Sequence, residues 1–158
     1  MVSIGNMADV DFAELISYLS DDPDTNCLAL YVEGLRDGPA FIEAARKCKK
    51  PIVVLKSGVS AHGAAAAASH TGSLAGAAKI YSTAFRQAGV TQATALNDLF
   101  DRTLDLSLQP RMKGANLLIL TNVGGVGVLA TDSTEKYGLP LHVAPADVQA
   151  ALKKHMPA

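Results

Sequence analysis

The sequence predicts an α/β fold: a parallel sheet flanked by helices. Short continuous apolar runs at 27–32, 51–55 and 115–120 alternate with stretches whose apolar residues recur at helical spacing. Tryptophan is absent and aromatics are 5% of the 158 residues, so the core must come from Ala, Val, Leu and Ile. That aliphatic bias suits parallel strands covered by helices on both faces.

Each element follows from local signals. Val2-Ser3-Ile4 is short and apolar, and Gly5-Asn6 closes it like the exit of a strand. Asp11 reads as an N-cap for a helix with Phe12, Leu15, Ile16 and Leu19 on one face, and Asp21-Asp22-Pro23-Asp24 ends it. The run Cys27 to Val32 is a buried strand that stops at Glu33-Gly34. Gly38-Pro39 opens the next helix, with proline at its first position and Phe41, Ala44, Ala45 and Cys48 inward. Lys49-Lys50 stand where cations favour that helix's C-terminus. Pro51 to Leu55 is a second buried strand, ending at Lys56-Ser57-Gly58.

A small-residue stretch, 59–69, leads into His70-Thr71-Gly72-Ser73 and a helix carrying Leu74, Ala77, Ala78, Tyr81 and Phe85. Gly89 reads as the residue past that helix, Val90 as a strand start, and Asn97 as the cap of a helix through Leu99, Leu104 and Leu106. Beyond a linker at 110–114, a strand at 115–120 runs into the glycine-rich turn Thr121-Asn122-Val123-Gly124-Gly125-Val126-Gly127 and a helix ended by Gly138. A strand at 139–143 and a short helix at 146–155 follow. Residues 1–109 then suffice for a flavodoxin-like domain. Residues 114–158 supply only the N-terminal part of a second one, truncated, leaving apolar surface that invites association or a homo-oligomer.

Composition excludes several function classes. A formal charge of −1 lacks the basic footprint of a nucleic-acid binder, and no run approaches the ~20 apolar residues of a membrane span. No secretory leader is visible, and a cytoplasmic location is expected. Cys27 and Cys48 read as two buried thiols without metal-ligand spacing, so no metal site is expected.

In such sheets ligands bind beyond the carboxyl ends of the strands. Glu33-Gly34, Lys56-Ser57-Gly58 and the Thr121 to Gly127 turn all fall there, and His70 precedes a helix start on the same edge. A helix start offers unpaired N–H groups and a partial positive charge. Thr71, Gly72 and Ser73 beside His70, and Gly124, Gly125 and Gly127 at the second turn, are therefore candidate phosphate-binding residues. A neutral imidazole is a good nucleophile near pH 7, and Glu33 is the natural carboxylate to hold its other nitrogen. His62, His142 and His155 read as structural or solvated. Lys56 either faces the phosphate or caps the sheet edge. Gly125 to Ala130 also matches a dinucleotide fingerprint, but the following strand, His142-Val143-Ala144, supplies no acidic partner.

Longer stretches carry a resemblance. Ser3 to Asp11, Asp22 to Thr25, Tyr31-Val32-Glu33-Gly34, Lys50 to Gly58, Ala67 to Gly76 and Leu120 to Asp132 resemble, in order, the succinyl-CoA-ligase-like flavodoxin domain of NDP-forming acyl-CoA synthetases and the opening of its second flavodoxin-like domain. The segment around His70 is the most specific part. The resemblance implies an acid-thiol ligase in which a histidine relays phosphate between acyl phosphate and nucleotide during acyl-CoA formation or cleavage. It implies that His70 becomes a phosphohistidine, that Glu33 orients it, and that the helix after Gly124 is one of two whose N-termini hold the phosphoryl group.

It further implies CoA and ATP or ADP with Mg as substrates of the complete enzyme, none held tightly by this chain. A small carboxylic acid would be the third substrate, and a CoA-binding domain and an ATP-grasp domain or subunit the partners. Alone, this stretch is expected to be inactive. The competing readings are a regulatory ligand-binding module of a fused protein acetyltransferase, and a scaffold without a site.

Overall fold

The computed structural model describes residues 1–60, 62–63, 78–110 and 112–155. They fall into two compact units, Met1–Pro110 and Arg111–Ala158.

In the first unit, α1 (Phe12–Asp21) starts where Asp11 caps it. The Asp11 carboxylate accepts from the Glu14 N–H at 3.1 Å, and the Glu14 carboxylate accepts from the Asp11 N–H at 2.9 Å. This reciprocal pair satisfies two donors that a helix start otherwise leaves open. Its C-terminus is closed from outside: the Lys50 ammonium donates to the carbonyls of Leu19, at 2.8 Å, and Asp22. The cations expected to serve the helix before them thus serve α1, with Lys49 paired to Asp21 at 2.8 Å on the surface.

Strand β1 (Leu28–Val32), helix α2 (Gly38–Lys47) and strand β2 (Ile52–Lys56) form a βαβ unit. Asp37 caps α2 through the Ala40 N–H at 2.9 Å, which places Pro39 at the second helical position, not the first. Helix α3 (Ala78–Ala88) leads to β3 (Thr91–Ala93) and α4 (Leu96–Leu108). The sheet is parallel, in the order β1-β2-β3, with Leu28 opposite Ile52, Val32 opposite Lys56 and Leu55 opposite Ala93. Gly89, at φ +73°, ends α3: its N–H reaches the Arg86 carbonyl and the Val90 N–H the Phe85 carbonyl, a turn that needs the left-handed residue glycine supplies.

Side chains alternate across β2, so its two faces feed two cores. Ile52 and Val54 join Ile16, Leu28, Val32, Phe41 and Phe85 under α1, α2 and α3. Val53 joins Ala93 and Leu99 under α4. Only Leu99 of α4 is deeply buried. Leu104 and Leu106 are exposed, Leu104 as part of an outward stripe with Leu96, Phe100 and Leu108. Asn97 does not cap this helix. Ala95 occupies the cap position, and Asp98 accepts from the Thr94 N–H and hydroxyl at 2.8 and 3.1 Å.

The second unit holds α5 (Gly124–Lys136) and α6 (Ala146–Lys153). The strands expected at 115–120 and 139–143 contract to one parallel bridge, Leu117 to Leu141. No second layer covers them within this unit: Leu118, Leu120, Leu141 and Val143 stay exposed, and Thr134 is the buried residue among those described. At the N-terminus, the apolar residues 2–4 form no strand; the chain turns at Gly5 and Met7, with φ of 51° and 57°.

These placements separate two kinds of leucine and phenylalanine. Phe85→Ala empties a site with no solvent exposure, edge-on to Phe41 at 5.8 Å, and should cost about 3–5 kcal/mol. Leu104→Ala, on the outward stripe, should stay within about 0.5 kcal/mol. Urea unfolding checks both, and equal losses would refute the assignment of the two faces.

Candidate functional site

A central parallel strand buried on both faces has room for polar groups only at its ends, and the carboxyl end of this sheet gathers them. β1 ends at Val32 and delivers Glu33, half-buried, and Gly34, buried. β2 ends at Lys56, and the Ser57 N–H still bonds the Val32 carbonyl at 3.0 Å, carrying the ladder one step beyond the strand. Gly58 follows at φ +66°, a left-handed turn at the strand exit.

Lys56 is 5% exposed. Its ammonium donates to the Glu33 carbonyl at 2.8 Å and the Ser57 carbonyl at 2.5 Å, and it lies 4.7 Å from the centre of the Tyr81 ring on α3. Burial pushes its pKa below the ordinary lysine value, and the Glu33 carboxylate partly opposes that. The Tyr81 hydroxyl in turn accepts from the Leu35 N–H at 3.4 Å. Two participants escaped the sequence reading. Helical spacing marks Tyr81 only as one of the apolar residues of its helix. Arg36 donates to the carbonyls of Met7 and Ala8 at 2.9 and 3.3 Å, tying the N-terminal segment to the loop after β1.

His70, Thr71, Gly72 and Ser73 lie outside the described residues. Of the other histidines, His62, His142 and His155 are exposed. Cys27 and Cys48 are free and half-buried rather than fully buried, and burial pushes the Cys27 thiol up, away from reactive thiolate. Among the described residues no cluster of His, Cys, Asp and Glu could hold a metal, and no helix is long and apolar enough to cross a membrane.

In the second unit the glycine turn opens α5. Val123 caps without a side-chain bond, so the N–H groups of Gly124, Gly125 and Val126 have no intrahelical acceptor. The Gly127 N–H is already given to the Val123 carbonyl at 3.1 Å. A Cβ on Gly127 would stand 3.0 Å from the Thr121 methyl, whereas one on Gly124 or Gly125 meets open space. Thr121 is itself fixed, its hydroxyl accepting from the Val123 N–H at 3.0 Å. Gly124 and Gly125 therefore bring amides without a helical partner and leave the space beside their Cα atoms open, and Gly127 lets the turn close on the helix. Beside this turn an open cleft of about 710 Å³ is lined mainly by apolar residues, with His142, Asp132 and Lys153 at its polar margin.

Residues 1–104 match the family described as the succinyl-CoA ligase like flavodoxin domain. The chain belongs to that family. This succinyl-CoA-ligase-like chain is 49% identical over 144 residues to a protein named acetate–CoA ligase [ADP-forming] I subunit alpha, of Pyrococcus furiosus; the match covers 90% of this chain and 31% of the relative. It is 34% identical over 158 residues to a 4-hydroxybutyrate–CoA ligase [ADP-forming] of Nitrosopumilus maritimus, covering 98% of this chain and 22% of that one. Among solved structures, the dinucleotide forming acetyl-coenzyme A synthetase 1 of Ca. Korarchaeum cryptofilum, in complex with phosphate and ADP, superposes with a TM-score of 0.89 at 42% identity, over 99% of this chain and 34% of that one. The chain thus spans about a third or less of the length of the relatives it matches.

The glycine turn yields a prediction of its own. Gly124→Ala and Gly125→Ala should be neutral or stabilising by up to about 1 kcal/mol, since alanine favours helix and meets open space. Gly127→Ala should gain less or lose, because Thr121 must turn away and release the Val123 N–H. Amide exchange across α5 ranks the three; Gly127→Ala as the most protected would contradict the packing described.

Proposed function

We propose that this chain is part of an ADP-forming acyl-CoA synthetase and that His70 carries the phosphoryl group between nucleotide and acyl phosphate. The observation that supports this most is the 49% identity, across 90% of the chain, with a protein named as the alpha subunit of an ADP-forming acetate–CoA ligase. Chemistry at the sheet edge agrees with it. Glu33 stands at the carboxyl end of β1, where a carboxylate can hold one imidazole nitrogen and leave the other free to attack.

The steps balance as group transfers. An unprotonated nitrogen of His70 attacks the γ-phosphorus of ATP, and the bond to ADP breaks. The substrate carboxylate then attacks the phosphohistidine phosphorus, giving acyl phosphate and returning neutral imidazole. The CoA thiol, losing its proton, attacks the acyl carbon and expels phosphate. The reverse sequence makes ATP from acyl-CoA, ADP and phosphate. The open amides of Gly124 and Gly125 suit a transferred phosphoryl group, each helix start contributing about 0.3–1 kcal/mol when exposed.

The nucleotide- and CoA-binding functions are assigned on this reading to other domains or subunits, consistent with relatives about three times longer or more. The apolar exposure of residues 112–155 fits a second flavodoxin-like domain completed by further polypeptide. The substrate is a carboxylic acid, since the relatives' names specify acetate and 4-hydroxybutyrate.

With its nucleotide-binding partner and ATP, the protein should form one acid-labile phosphoryl adduct, visible by intact mass and missing from His70→Ala. An adduct that persists in His70→Ala refutes the assignment. Adduct formation should fall as pH drops through the ordinary histidine pKa of ~6.5, because protonated imidazole has no lone pair to attack with. A rate that is flat from pH 8 to about 5.5 would exclude histidine as the nucleophile.

A further inference from the structure

The buried cation at the end of β2 is not absorbed by the relay. Lys56 has 5% of its surface exposed and makes no ion pair among the described residues. The Glu33 carboxylate offsets only part of the cost of desolvating that ammonium, and an unbranched apolar side chain would fill the same space more cheaply. A lysine kept there must use its donors, and an ammonium has three. Two go to the Glu33 and Ser57 carbonyls, and the ammonium also stands over the Tyr81 ring, which attracts cations.

Those contacts share one consequence. Lys56 holds the carbonyl of Glu33, and Tyr81 holds the N–H of Leu35. The tripeptide Glu33-Gly34-Leu35 is thereby fastened at both ends, by two residues that also touch each other, and buried Gly34 lies between the fastenings. With the Val32 carbonyl held by the Ser57 N–H at 3.0 Å and the Glu33 carbonyl by Lys56, the main chain is fixed on both sides of the Glu33 Cα, which restricts where the carboxylate can reach. The alternative of a direct phosphate ligand fits poorly, since the ammonium is already directed at carbonyls and a ring.

We propose that Lys56 and Tyr81 form a clamp on the strand exit, making Lys56 a positioning residue that sets the Glu33 carboxylate for the phosphoryl-carrying histidine. The catalytic half of this proposal rests on the reading of His70 and Glu33 given above; the clamp itself does not.

The test uses the complete ligase that contains this chain. Single-turnover adduct formation from ATP is compared for Lys56→Met, Lys56→Arg, Tyr81→Phe, Glu33→Gln and the double variant Lys56→Met/Glu33→Gln, with amide exchange followed at Leu35. Lys56→Met should slow the adduct roughly 10- to 100-fold with nucleotide affinity unchanged, the scale expected of a small misplacement. Because Lys56 acts through Glu33, the double variant should be no slower than the slower single one, and Lys56→Arg should recover part of the rate. Leu35 exchange should quicken in Lys56→Met and in Tyr81→Phe, which keeps the ring but loses the acceptor.

Losses that multiply in the double variant, or a weakened affinity for nucleotide or phosphate at full rate, would overturn the positioning role. If Lys56→Met does not fold, Lys56→Arg and Tyr81→Phe carry the same comparison with Glu33→Gln. An adduct that survives His70→Ala sinks the relay and with it the catalytic half. Leu35 exchange then still decides the clamp, and protection unchanged in both variants overturns it.

Discussion

Everything in the first unit hangs on β2 being buried on both faces. Ile52, Val53 and Val54 have almost no exposure because α2 and α3 press on one side and α4 on the other. A strand enclosed in this way cannot carry a polar side chain along its length without stranding it from water. Polarity is therefore swept to the strand's ends. The parallel order β1-β2-β3 then brings the ends of neighbouring strands to one edge, with Val32 level with Lys56. The same constraint that makes the core concentrates the chemistry at its border.

That constraint also explains what was legible in the sequence. Runs of Val, Ile and Leu, bounded by Asp11, Gly89 and Gly138, marked strands and helices well because caps and periodicity are local physics. Glu33 and Lys56 were legible as strand-end residues for the same reason. Lys50 was misread because its partners, the carbonyls of α1, lie about thirty residues earlier in the chain. Asn97 was misread because the cap position falls to Ala95, and it is Asp98, one residue on, whose carboxylate accepts from Thr94. Tyr81 looked like ordinary core from helical spacing, and nothing local ties it to Lys56 or Leu35.

The second unit shows what apolar pattern cannot decide. The runs at 115–120 and 139–143 have strand composition, yet without a packed layer on either side they make one bridge. Hydrogen bonding between strands gives little net stability unless apolar surface is removed from water along with it. Helix α5 forms regardless, since its bonds are internal and the turn at Gly138 closes it, the Gly138 N–H reaching the Glu135 carbonyl and the Leu139 N–H the Thr134 carbonyl. Local elements form from local sequence, whereas a sheet needs neighbours.

The glycine turn and the Lys56 edge differ in kind for a physical reason. The turn at Gly124 and Gly125 is open: its amides have no intrahelical acceptor, and a side chain placed on either glycine would meet nothing within 4 Å. The edge at Lys56 is closed, with its ammonium spent on carbonyls and a ring. A phosphoryl group in transit needs donors that are unpaired when it arrives and lose little when it leaves, which backbone amides at a helix start provide. A buried ammonium already bonded to carbonyls would have to break those bonds at every turnover. In the clamp proposed above its charge is held still, stiffening the segment from which Glu33 projects, and the proposed relay, which would depend on the orientation of one ring, gains most from a partner whose main chain does not move.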